Sequence, residues 1–229
     1  MKYIFLLIIG SILFSCGNEK VIQLPEINYS EITEINDVSA AYLFYDETQK
    51  DSVELNRKNL ISTTNWLVNV DKRLTLKQVI PHIKFLQEKK SSSSHKNKKA
   101  KNYFTCNDIS RIDLGFIEFT DVVYHEKSSG KYFSETSELK FPKRLNIHFD
   151  SLEEINLVLV TNDLNFKKSN ISKLKNDIKN MLKNEKENIE IILDINNLIS
   201  FQDYISFKSA LSQLVLEHVI ISNNEFISN

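Results

Sequence analysis

Ile189-Glu190-Ile191-Ile192-Leu193-Asp194, Ile199-Ser200-Phe201-Gln202-Asp203 and Val219-Ile220-Ile221 are the stretches that decide the fold. The first is a short apolar run with three isoleucines, closed by Asp, and reads as a buried strand. Ser200 and Asp203 then start a helix with the face Tyr204, Phe207, Leu211 and Leu214, because a hydroxyl at the N-cap satisfies free N–H groups of the first turn. The third stretch reads as a closing strand. Upstream, Ile155–Val160 reads as a strand, and residues 163–166 turn back as a hairpin. Ile171, Leu174, Ile178, Met181 and Leu182 form one face of a helix opened by Ser169 or Asn170. The order ββαβαβ predicts an α+β sandwich with helices on one sheet face.

The first half repeats the theme. Trp66-Leu67-Val68-Asn69-Val70-Asp71 reads as a strand, and Leu76, Val79, Ile80, Ile83 and Leu86 follow at helical spacing. Thr75 and Gln78 have the spacing of a capping box. Pro81 predicts a kink or a later helix start, since it removes a hydrogen bond and clashes. Residues 41–45 form an aromatic strand, with 51–55 as its hairpin partner. Residues 103–106 and 116–124 read as further strands. The Lys- and Ser-rich segment 87–102 reads as a solvated loop, with no interleaved aromatics to stack on bases.

Two βαβ-containing sub-domains of an α+β protein result, with a possible internal duplication. Residues 66–71 match 189–194, residues 74–78 match 199–203, and residues 104–108 match 220–224, which aligns Cys106 with Ser222. The expected organisation is a signal segment over 1–15, a tether over 16–39, an α/β domain over 40–126, a linker over 127–145 and a second α/β domain over 146–229.

Composition narrows the function. The 229 residues are 41% hydrophobic and 10% aromatic, which suits a folded chain. A formal charge of −1 gives no bias toward nucleic acid. Beyond the first 15 residues glycine occurs only as Gly17, Gly115 and Gly130, too few for a dinucleotide fingerprint or a P-loop, so no nucleotide or other cofactor is expected. The cysteines are Cys16 and Cys106.

The N-terminus carries Lys2, an apolar run and then Leu13-Phe14-Ser15-Cys16. The apolar run is shorter than the roughly 20 residues that span a bilayer. The layout is that of a secretory signal, and its end resembles the lipobox of bacterial lipoproteins, with Phe14 in place of the commoner small residue. The resemblance implies that Cys16 carries acyl chains and anchors the protein in a membrane. Gly17 after the cysteine favours the outer membrane, and the poor match of residues 17–20 to an acidic export run favours its periplasmic side. Cys106 is then single, has no intramolecular disulfide partner and is expected to be buried.

Residues 155–224 resemble the periplasmic domain of the ExbD/TolR family in their succession of hairpin, helix, strand, capped helix and strand. That family implies a proton-driven envelope motor, but its proton-binding transmembrane Asp has no counterpart in the leader here. Residues 61–67 through 104–108 resemble uncharacterised Bacteroidota envelope proteins, a resemblance that implies no activity.

Catalytic groups are sparse. His82, His95, His125, His148 and His218 lack metal-ligand spacing with one another or with cysteine. His148 with Asp150 and His125 with Glu126 read as local polar pairs, Glu153 and Glu154 as surface charges, and Cys106 with His125 as an unsupported nucleophile pair. Asp71 and Asp194 end strands, where Asp satisfies local N–H groups. The sequence therefore favours a non-enzymatic envelope lipoprotein that binds another protein through a sheet edge or its helices. Two alternatives stand: an accessory subunit of an ExbD/TolR-like motor, and an enzyme with an unrecognised site.

Overall fold

The computed structural model describes residues 20–95, 97–136, 143–161 and 163–229. The signal segment and Cys16 lie outside them. The first half comprises β1 (Glu26–Ile27), β2 (Val38–Tyr45), β3 (Val53–Asn56), β4 (Asn65–Val70), α1 (Leu76–Ser91), β5 (Asn102–Asp108) and β6 (Asp113–Glu118). The second comprises β7 (Val123–His125), α2 (Ser129–Thr136), β8 (Arg144–Phe149), β9 (Ile155–Val160), β10 (Leu164–Ser169), α3 (Ile171–Leu182), β11 (Ile189–Asn196), α4 (Phe201–Ser212) and β12 (Val219–Ser228). The class is α+β, built on two six-stranded mixed sheets. One has the order β1-β5-β4-β2-β3 with β6 also on β5; the other is β10-β9-β8-β11-β12-β7.

The two halves share a topology. In the first, β2 pairs antiparallel with β3 and parallel with β4, which pairs parallel with β5. In the second, β8 pairs antiparallel with β9 and parallel with β11, which pairs parallel with β12. The helices that cross between the equivalent parallel strands, α1 and α4, start against each other. Thr75 and Ser200 form an antiparallel bridge. Leu76 N donates to Ile199 O at 3.1 Å and Phe201 N to Leu74 O at 2.6 Å, while Lys77 N donates to Asn197 O and Gln202 N to Lys72 O. Each bond in one direction has its counterpart in the other, so the joint is close to two-fold.

This joint sets the correspondence of residues 71–77 with 196–202. Asp71 matches Asn196, and each holds the same turn: Asp71 Oδ1 accepts from Arg73 N, and Asn196 Oδ1 from Leu198 N. The expected match of Asp71 with Asp194 is therefore two residues out, and Asn69 is the counterpart of Asp194. A register shift between Ile191 and Leu193 against β12 displaces the last strand as well. Pairing places Cys106 with Ile227 rather than Ser222; both are buried apolar positions.

Several boundaries differ from the sequence reading. Residues 26–27, expected in a tether, add a parallel strand beyond the end of β4, with Ile27 buried. The run 116–124 is not one strand. It turns at Phe119–Val122, where Val122 N reaches Phe119 O, and passes from the first sheet into the second. Within the expected linker 127–145 lies α2, which covers the face of the second sheet away from α3 and α4: Tyr132 and Phe133 pack on Phe226. The expected ββαβαβ gains β8 at its front, a central strand whose Leu145, Ile147 and Phe149 are buried in strict alternation.

The helix α1 begins at Leu76 and runs through Pro81. Gln78 Oε1 accepts from Thr75 N at 2.8 Å, and the bridge to the second half pins the same turn. The proline is exposed, so its missing N–H burdens a solvated stretch of helix. For α3 the cap is Asn170, whose Oδ1 accepts from Lys173 N. One continuous apolar core joins the halves, with Phe104 of β5 edge-on to Phe201 of α4 at 5.1 Å, and within the second half Phe149 of β8 stacks on Phe207 at 4.2 Å.

Candidate binding edge and the seam between the halves

The residues singled out by sequence fall into separate places. Cys106 is fully buried, and burial pushes its thiol well above the ordinary value. His125 does not face it. Its Nε2 lies 2.8 Å from Asn224 Oδ1, and its ring stacks on Phe226, while Glu126 pairs with Lys84 instead. His148 sits 3.7 Å from Asp194, not beside Asp150. Asp194 accepts from Ser129 N at 2.7 Å and Ser129 Oγ at 2.5 Å, so its carboxylate holds the start of α2. Asp71 is fully buried and takes both Nε and Nη2 of Arg73 at 2.8 Å. These bonds hold its carboxyl below the ordinary carboxylate value against the opposing effect of burial. Both aspartates fix the backbone and neither faces an open site.

Of the remaining histidines, His95 and His218 are exposed, and so are Glu153 and Glu154. His82 lines a hollow of about 750 Å³ between α1 and residues 50–53, and burial lowers its pKa. Among the described residues no three His, Cys, Asp or Glu converge as metal ligands.

Two polar arrangements escaped the sequence reading. The first is Lys90, expected within a solvated loop. The last turns of α1 extend to Ser91 and bury it. Its Nζ donates to Lys101 O at 2.9 Å and Asn102 Oδ1 at 2.8 Å and lies 5.0 Å over the Trp66 ring, and burial lowers its pKa to about 8. The second is a buried network within the second half, beside the seam, where Tyr204 lies edge-on to Phe104 of β5. Tyr204 of α4 donates to Glu225 of β12 at 2.8 Å, and Lys208, one turn further along α4, pairs with the other carboxylate oxygen. Tyr124 of β7 completes it, 3.2 Å from the Tyr204 hydroxyl. Burial raises both phenols well above their ordinary range, so they serve as neutral hydrogen-bonding groups. The partners come from three distant segments, which is why no local motif marks them.

An open recognition feature is β10, the last strand of the second sheet. It pairs with β9 on one side, Leu164 opposite Val160 and Ser169 opposite Ile155, and among the described residues no strand pairs its other side. Lys167 and Ser169 turn toward α3, where both meet Asp177. Alternation puts Leu164, Phe166 and Lys168 on the opposite face. Leu164 is 77% exposed and Phe166 57%. A strand edge offers a row of backbone donors and acceptors, and flanking apolar side chains make it a template for another extended segment.

No family model, curated protein or solved structure matches this chain.

Proposed function

We propose that this chain is a non-enzymatic lipoprotein of the cell envelope, held to the membrane through acyl chains on Cys16, that binds an envelope protein by strand addition to β10. One observation carries the reading: a six-residue edge strand whose outer side no strand pairs among the described residues and which presents Leu164 and Phe166 to solvent. Main-chain hydrogen bonds would supply affinity, and the two apolar side chains would select alternate residues of the partner. The outer membrane, facing the periplasm, is the proposed address. The Tyr204–Glu225–Tyr124 network is satisfied within the second half, which suits that half to carry the β10 edge on a stiff body.

The test is crosslinking of the tagged full-length protein in cells, followed by detergent extraction and identification of captured proteins. The wild-type chain is expected to capture an outer-membrane or periplasmic protein reproducibly, and the double variant Leu164→Lys/Phe166→Lys is expected to lose it while keeping the native circular dichroism spectrum. Capture undiminished in the double variant would contradict the edge reading. Recovery of inner-membrane motor proteins would favour the accessory-subunit alternative that the ExbD/TolR resemblance implies.

A further inference from the structure

We propose that the tip of the β5–β6 hairpin, carried by Ile109, Ile112 and Leu114, rests in the lipid bilayer surface to which Cys16 is tied. The inference rests on the lipoprotein reading and adds an orientation to it.

The chain path places both features at one end of the first sheet. Strands β2, β4 and β5 run parallel, so their C-terminal ends lie together. Lys20 is fixed at that end by ion pairs with Asp46, just after β2, at 2.6 Å, and with Glu54 at the start of β3. From there the chain crosses the end of β4, where Lys72 N donates to Gln23 O, and joins β5 as β1. The hairpin loop leaves β5 at the same end, with Ile109 N bonded to Ile27 O. Two strand spacings, about 10 Å, separate the β2 and β5 positions. Cys16 precedes Lys20 by four residues, a reach of at most about 14 Å when fully extended. An acylated Cys16 therefore holds this end of the sheet close to the lipid.

The tip has the chemistry for that contact. Ile112 is 95% exposed, Ile109 53% and Leu114 40%, and they border a hollow of about 440 Å³. Ile112 has φ of 56°, a left-handed conformation that a β-branched residue rarely adopts. The hairpin thus holds an isoleucine outward in a strained backbone, a feature that clusters at binding sites. Arg111 beside it is exposed and suited to lipid phosphate. Val21, next to the anchored Lys20, adds a further exposed apolar side chain at that end. In the second half the place beside β12 that corresponds to β6 is held by β7, which runs parallel, so the tip is not a by-product of the shared topology.

The experiment places an environment-sensitive fluorophore at position 112 through Ile112→Cys in the full-length acylated protein, with Leu164→Cys as the comparison site. Each is reconstituted in vesicles of phosphatidylethanolamine and phosphatidylglycerol, with and without lipids carrying a quencher near the headgroup. Emission from position 112 is expected to shift to the blue and to be quenched, and emission from position 164 to do neither. Unchanged emission at 112, with acylated Cys16 confirmed by mass, would overturn the docking and leave the anchor standing. A Cys16 without acyl chains would overturn both. Equal shifts at both positions would also overturn it, since the whole surface would then be adsorbing to lipid.

Discussion

β3 and β9 hold equivalent places in the two halves, yet only β3 is an edge. It is four residues long and carries no exposed large apolar side chain. Lys20 is paired to its Glu54, and Gln78 of α1 reaches the carbonyl of Asp51 just before it. These are the devices by which sheet edges are kept from pairing with other chains. In the second half the unit β10–α3 is inserted between β9 and β11, which moves the edge outward by one strand. The new edge is longer and presents Leu164 and Phe166. Its lysines guard only one end, and Lys167 is turned inward to Asp177. The shared topology supplies a framework, and two departures from it, β10–α3 in one half and the β5–β6 hairpin in the other, carry Leu164, Phe166 and Ile112 among the exposed apolar side chains.

The comparison requires that the two halves behave as one body, and the seam tests this most severely. Phe201→Ala opens a cavity beneath the two-fold joint and is expected to cost about 3–5 kcal/mol. Glu225→Ala strips Lys208 and Tyr204 of their partner in a sealed site, with an expected loss of about 3–5 kcal/mol. Chemical denaturation should show a single transition in the parent and in both variants, followed by circular dichroism and Trp66 fluorescence. Two separated transitions would make the halves independent domains and break the account of a common core.

Lys90 gives a smaller, pH-dependent effect peculiar to the first half. Folding lowers its pKa from 10.5 to about 8, so between these values the unfolded chain binds more protons. Stability is then expected to rise with pH across that window, because the buried charge is lost. Lys90→Met should flatten the rise relative to the parent, as measured by urea midpoints at intervals from pH 7.5 to about 10. An unchanged slope would mean that burial does not penalise this ammonium.

The weakest expected effect concerns the paired helix starts. Ser200 Oγ accepts from Asp203 N at 3.1 Å, so Ser200→Ala should cost about 1 kcal/mol. The Thr75 hydroxyl instead lies 2.9 Å from Gln78 Oε1, which already accepts from Thr75 N, so Thr75→Ala is expected to cost less. Equal losses in thermal unfolding would show the two caps to be equivalent despite their different bonds.

Local chemistry made part of this fold readable. The capping pair Thr75 and Gln78, the hydroxyl cap at Ser200 and the apolar spacing that follows each are properties of a few adjacent residues, and the helix starts at 76 and 201 follow from them. The strand at 144–149 alternates Leu145, Ile147 and Phe149 with Arg144, Asn146 and His148, a period-two signal that was present but concealed by its polar half. The run 116–124 misled because an apolar stretch does not reveal which sheet accepts it. Phe119 joins the seam while Val123 pairs with Asn224. The Asp194–Ser129 and Tyr204–Glu225–Tyr124 contacts join residues far apart in the chain and have no local signature. Leu164 and Phe166 were visible as a return strand, but their exposure depends on no further strand lying beyond β10.

The most direct test of the central claim is site-specific photocrosslinking in cells, with a photoreactive phenylalanine at Phe166 of β10 and, separately, at Leu55 of β3. The account predicts one discrete higher-mass adduct from position 166 and none from position 55. Adducts from both edges, or from position 55 alone, would contradict it.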